Sequence, residues 1–153
     1  MKKILFVCTG NTCRSPMAEA LLANKSQGKY EGKSAGIYAA GGSGVSPQTE
    51  LVLKELGIEI DHASSPLTKE LLEWADLVLT MTESHKGMIG QQHPETLDKL
   101  FTLKEYTGGS GAPVLDISDP FGGAAEVYRD TRKEIEEEVG RLIKKLEENE
   151  GEN

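Results

Sequence analysis

Cys8 and Arg14 enclose five residues in Cys8-Thr9-Gly10-Asn11-Thr12-Cys13-Arg14-Ser15, and the apolar run Ile4-Leu5-Phe6-Val7 leads straight into the cysteine. A thiol and a guanidinium at this spacing can face one oxyanion together, provided the loop between them curls. It reads as pinned at both ends. The run before it is a buried strand, Ser15-Pro16 opens a helix with Ser as N-cap and Pro at the first helical position, and Gly10 can take the dihedrals of a sharp turn. Successive backbone N–H groups then point inward at an anion, the helix terminus adds partial positive charge, and Arg14 closes the ring bidentately. The same field favours Cys8 as a thiolate, the nucleophilic form of the side chain. The pattern is that of a phosphate cradle with its nucleophile at the bottom.

The elements that hold this loop are also readable. Residues 3–7 form the strand, and residues 16 to about 28 an amphipathic helix carrying Met17, Ala20, Leu21 and Leu22. Lys33-Ser34-Ala35 is a weak second strand. After a loop at 39–46, Ser46-Pro47 opens a helix whose Val52, Leu53 and Leu56 share a face before Gly57 stops it. Thr68 caps a short helix through Leu71 and Leu72. Leu77-Val78-Leu79-Thr80-Met81 is a continuous apolar run of the kind that parallel sheets bury on both faces. Ser84 to about Gln92 reads as a helix, and Leu100-Phe101-Thr102-Leu103 as a fourth strand. A long connection from Lys104 to Gly123 holds Asp116, Asp119, Pro120 and Phe121, and structureless stretches of that length tend to be functional. Val127, Thr131, Ile135, Val139, Leu142, Ile143 and Leu146 then recur at helical spacing over residues 124 to about 147, with Glu134, Glu136, Glu137 and Glu138 expected on a solvated face. Alternating strands and helices imply a parallel sheet between two helical layers. Ligands in such sheets bind beyond the carboxyl ends of the strands, where residues 8–15 lie.

The chain of 153 residues is expected to form one domain, 1–153, with about residues 148–153 fraying. Its 37% hydrophobic and 27% charged residues are ordinary for a globular protein in water. A net charge of −8 argues against nucleic acid as a partner, because holding a phosphate backbone needs a basic face. No apolar run approaches membrane-spanning length, and the stretch before Cys8 is too short for a signal peptide, so no membrane partner and a cytoplasmic location are expected. Two cysteines five positions apart match neither a disulfide framework nor a zinc pattern, and His62, His85 and His93 lie far apart in the chain. No metal and no cofactor is expected.

Three stretches together resemble the low-molecular-weight protein tyrosine phosphatases: Val7-Cys8-Thr9-Gly10-Asn11-Thr12-Cys13-Arg14-Ser15-Pro16-Met17-Ala18-Glu19, then Ser34-Ala35-Gly36, and Asp119-Pro120-Phe121 just before the last helix. The likeness spans nearly the whole chain. It implies a flavodoxin-like α/β three-layer sandwich, with a four-stranded parallel sheet and helices on both faces. It also implies a metal-free mechanism through phosphocysteine, in which Cys8 is the nucleophile and Arg14 with the amides of Thr9, Gly10, Asn11, Thr12 and Cys13 stabilises the phosphoryl oxygens. Ser15 can donate a hydrogen bond to the sulfur, and Phe121 lines the pocket. Asp119 is the candidate general acid, which then deprotonates the attacking water; alone before a proline it would read as a turn residue. Asn11 tolerates left-handed dihedrals and bonds neighbouring amides, a role in loop shape rather than substrate contact. His62 stands where the family often has a histidine supporting the loop, an exposed histidine being the alternative.

Tyrosine-directed relatives usually carry an apolar branched residue, commonly Ile, at the position of Thr12, which suits a phenyl ring. A hydroxyl buried there without a partner costs about 1–3 kcal/mol, and a phosphoarginine guanidinium offers donors that Thr12 and Asp119 can accept. The loop, with Ser64-Ser65-Pro66-Leu67-Thr68, Phe101-Thr102-Leu103-Lys104-Glu105-Tyr106 and Asp119-Pro120-Phe121-Gly122-Gly123, is most similar to the bacterial protein-arginine phosphatase branch. The expected substrates are therefore proteins phosphorylated on arginine. Phosphotyrosine is the alternative, and a phosphate-binding or redox-sensing module without turnover is the reading from another class. Arsenate reduction needs relay cysteines beyond Cys13, and the chain has none. Cys13 keeps two readings: a thiol that traps oxidised Cys8 as a reversible disulfide, or a small filler under the loop.

Overall fold

Ile4, Leu5, Phe6 and Val7 are all fully buried, so the first strand is covered on both faces, as the centre of a parallel sheet must be. The computed structural model describes residues 2–108 and 115–151. Along the chain come β1 (Lys3–Cys8), α1 (Arg14–Ser26), β2 (Glu31–Gly36), α2 (Pro47–Lys54), α3 (Lys69–Trp74), β3 (Leu77–Thr80), α4 (Glu83–Gln92), β4 (Leu100–Thr102), α5 (Leu103–Thr107) and α6 (Ala125–Gly151). The sheet runs β2-β1-β3-β4, and every neighbouring pair is parallel. Alternate side chains of β1 enter opposite cores. Ile4 and Phe6 pack with Met17 and Leu21 of α1, Leu53 of α2 and Val139 of α6. Leu5 and Val7 pack with Leu72 of α3 and Ile89 of α4 on the other face. This is the three-layer α/β sandwich that the strand and helix alternation implies, with the four-stranded flavodoxin-like sheet that the family resemblance implies.

The topology decides where a ligand goes. From β1 the chain returns through α1 to β2 on one side, whereas β3 lies on the other, so a crevice opens beyond the carboxyl end of β1. Residues 9–13 occupy it.

The structure corrects several expectations. α1 begins at Arg14, with Cys13 in the cap position and no side-chain cap, so Ser15 is not the N-cap and Pro16 is not the first helical residue. A side-chain cap would occupy amides that the loop leaves open, and the Ser15 hydroxyl is turned to the sulfur of Cys8 instead. The segment after β4 is not wholly irregular. Thr102 and Glu105 form a reciprocal capping box for α5, which closes on Gly108 in the left-handed conformation, a signature present in the sequence as Thr-x-x-Glu. Residues 109–114 of the long connection lie outside the described residues, and α6 runs on to Gly151. Its acidic side is not simply solvated: Glu138 is buried against Thr107 and Arg141, Glu134 accepts from Lys104 and Ser118, and Glu136 faces Lys25 and Arg132. The expected caps at Ser46 and Thr68 are present, accepting from Thr49 N and Leu71 N. Among the described residues no helix is long and apolar enough to cross a membrane.

Candidate active site

Register fixes the geometry of the loop. β1 ends with Cys8 beside Gly36 of β2, and a Cβ at Gly36 would lie 2.6 Å from the Thr9 carbonyl oxygen and 2.9 Å from Asn11 N. Only glycine lets the loop curl over the end of β2. Asn11 then takes a φ of 58°, the left-handed turn that closes the curl.

Carbonyls of the loop are held from outside. Tyr38 N donates to Thr9 O at 2.9 Å, His62 Nε2 lies 2.9 Å from Asn11 O, and Ser46 N donates to Thr12 O at 3.1 Å. In a trans peptide the C=O and the following N–H point in opposite directions. Pulling these three oxygens outward therefore turns the N–H groups of Gly10, Thr12 and Cys13 toward the interior of the loop. Asn11 N donates to Cys8 Sγ at 3.3 Å. The Asn11 side chain is a brace, accepting from Ser65 N at 2.8 Å and donating to Ser15 Oγ at 2.9 Å. Ser15 Oγ lies 2.8 Å from Cys8 Sγ. Since Asn11 already donates to that oxygen, the Ser15 proton is left for the sulfur.

Arg14 is buried, donating from Nη1 to the Ile117 carbonyl at 3.0 Å while Nη2 lies 3.6 Å from Asp119 Oδ2. Asp119 is half exposed, and its other oxygen accepts from Phe121 N at 3.0 Å in a local turn. The segment that carries it is anchored upstream. Ile117 N donates to Met81 O at 2.8 Å, and Ser118 donates to Glu134 Oε1 from its N at 3.0 Å and from its Oγ at 3.1 Å. Lys104 Nζ lies 2.9 Å from the other oxygen of Glu134, so α5 and α6 together set where Asp119 stands.

Cys8, Thr9, Gly10, Thr12, Cys13, Arg14, Asp119 and Phe121 line one cavity of about 230 Å³, with Phe121 80% exposed at its mouth. Residues from two distant parts of the sequence, the loop from Cys8 to Arg14 and the segment of Asp119 and Phe121, thus meet in one place, with Asn11, Ser15 and His62 behind them. Thr12 is only partly buried, with its hydroxyl 3.7 Å from Cys13 Sγ. The desolvation penalty expected for that hydroxyl is therefore small until a ligand covers it. Cys8 and Cys13 are both free thiols. The Cys13 sulfur is 3.6 Å from both Ser46 Oγ and Tyr128 Oη, and burial first, then the nearby Cys13, raises the Tyr128 phenol pKa.

Two contributors carry little sequence signal. Glu134 looks like one more glutamate on an acidic helix face, and His85, whose Nε2 lies 2.9 Å from Thr9 Oγ1, sits in the chain far from the loop it touches. Among the described residues no group of three or more His, Cys, Asp or Glu could hold a metal ion.

The chain is similar to known proteins. A curated protein-arginine-phosphatase of Geobacillus stearothermophilus is 56% identical over 144 residues, covering 94% of this chain and 95% of its own. One from Bacillus subtilis is 51% identical over 148 residues, with the same coverage. The solved YwlE arginine phosphatase from Geobacillus stearothermophilus superposes with a TM-score of 0.94 at 54% identity, covering 100% of this chain and 97% of that one. Residues 3–152 match the family model described as low molecular weight phosphotyrosine protein phosphatase, and the chain belongs to that family.

Proposed function

We propose that the protein hydrolyses phosphoarginine in other proteins, through a phosphocysteine intermediate and without a metal. The observation that carries this is the meeting of Cys8, Arg14, Asp119 and the Thr12 hydroxyl in one cavity. In this reading the Cys8 thiolate attacks phosphorus from the cavity floor as the P–N bond to the substrate guanidinium breaks. Asp119 gives its proton to the departing nitrogen, and is left as a carboxylate facing the new guanidinium. Arg14 and the inward N–H groups stabilise the phosphoryl oxygens throughout. Water then attacks phosphocysteine, Asp119 takes up its proton, and the P–S bond breaks to return phosphate and the thiolate, which Ser15 stabilises. Partial exposure of Thr12 leaves its oxygen ready to accept from a guanidinium rich in N–H donors. The two arginine-phosphatase relatives support the same substrate class.

One observation favours a second reading. The Phe121 ring stands free at the cavity mouth, where it can stack on an aryl phosphate such as phosphotyrosine. Turnover of phosphoarginine and phosphotyrosine peptides by wild type and Thr12→Ile separates the two. We expect wild type to prefer phosphoarginine, and the substitution to move the ratio toward the aryl substrate by about tenfold or more. A ratio that does not move would sink the assignment to phosphoarginine. Phosphate release lost in Cys8→Ala distinguishes an enzyme from a module that only binds phosphate. We also propose that Cys13, once it leaves Ser46 and Tyr128, traps oxidised Cys8 as a disulfide. Peroxide-inactivated wild type should then recover with dithiothreitol and Cys13→Ser should not; equal recovery removes that role. Phosphorylated proteins in the cytoplasm are the partners this reading implies.

A further inference from the structure

His85 is buried, and the chemistry above does not use it. It lies in the first turn of α4, where its backbone N–H donates to the Thr82 cap at 3.1 Å. The residue is 6% exposed, Nε2 lies 2.9 Å from Thr9 Oγ1, and Nδ1 is buried with no hydrogen-bond partner. Thr9 follows Cys8 directly, is exposed, and lines the cavity. A buried imidazole therefore backs a hydroxyl in the cavity wall.

The charge state of that ring is set by its surroundings. Burial, and then the positive charge of Arg14, hold its pKa down to about 4, against the smaller opposite pulls of Asp116 and Asp119. At neutral pH the ring thus carries a single N–H. With the proton on Nδ1, an N–H would be buried with nothing to accept it. With the proton on Nε2, that N–H donates to Thr9 Oγ1, and only a lone pair goes unmet at Nδ1, the lesser loss. The Thr9 oxygen then accepts from His85, and its own proton must turn elsewhere. The open side is the cavity.

We propose that His85 is a positioning residue whose Nε2–H aims the Thr9 hydroxyl into the cavity as a further donor to a bound phosphoryl group. The inference rests on the phosphate-binding reading of that cavity, and it adds a neutral side-chain donor to a ring otherwise made of amides and Arg14.

Nitrogen-15 correlation spectra of the histidine rings in the full-length wild type give the first test. We expect His85 to be protonated on Nε2 and not to titrate between pH 6 and 8; protonation on Nδ1, or a midpoint near 6.5, overturns the proposal. Binding of inorganic phosphate gives the second. His85→Leu should weaken it about tenfold, His85→Gln, which keeps an N–H donor, should restore most of it, and His85→Leu should cost nothing more in a Thr9→Val background. Equal losses with Thr9 and with Val at that position would mean that His85 acts only through packing. Neither readout needs turnover. A protein that binds phosphate with this coupling but releases none from substrates would refute the phosphatase reading and leave the role of His85 standing.

Discussion

The phosphate loop and the Asp119 segment meet in one cavity, yet they are built in opposite ways. Asn11 of the loop and Ser15 just after it are fully buried, and three carbonyls are held by three separate stretches of chain. Asp119 is 54% exposed and Phe121 more so, and their segment is fastened mainly upstream, at Ile117 and Ser118. On the proposed mechanism the difference follows from the two tasks. Dipoles that stabilise charge in a transition state are useful when they need no reorganisation as charge develops, so they must be fixed in advance. A proton carrier serves two steps with different partners, a leaving group and then a water, so it must stand where solvent enters.

The strongest way to break the fixed half is Gly36→Ala. Its methyl group would meet the Thr9 carbonyl, displace the loop, and lower both inorganic phosphate binding and turnover by about 10² or more. Calorimetric phosphate titration reads this directly, and near-normal binding would show that the loop does not depend on that close approach. Asp119→Asn tests the open half. We expect turnover of phosphoarginine peptides to fall about 10²-fold or more, with a smaller loss on p-nitrophenyl phosphate, whose leaving group needs little help from a proton, and no loss of phosphate binding. An equal fall on both substrates would remove Asp119 from the acid role. Glu134→Gln is the mildest. It keeps an acceptor for Ser118 but loses the charge facing Lys104, and should cost about threefold in kcat with phosphate affinity unchanged. A change in phosphate affinity instead would mean that the two halves are not independent.

The strand, loop and first helix were legible because each rests on neighbours in sequence: an apolar run, a glycine, and a change of hydrophobic period. Ser15 departs from its expected capping role for the same reason. The capping rule weighs only local hydrogen bonds, while the hydroxyl is claimed by a sulfur on the far side of the loop. His85 touches Thr9 across 76 positions, and no local pattern could pair them. Glu134 was hidden by helix periodicity, which predicts a solvated face wherever glutamates cluster, although the Ser118 amide needed an acceptor there. The α5 helix is written plainly as Thr102-Leu103-Lys104-Glu105, but the length and composition of the whole connection outweigh a four-residue signature.

The carbonyls of Thr9, Asn11 and Thr12 are gripped by Tyr38, His62 and Ser46, residues drawn from widely separated parts of the chain. An unfolded polypeptide has no such grip, so the anion site exists only in the native state. Any oxyanion it holds must therefore add about 2.7 kcal/mol of stability at one hundred times its dissociation constant, and so raise the melting temperature. Heat resistance thereby becomes a gauge of what fills the cradle.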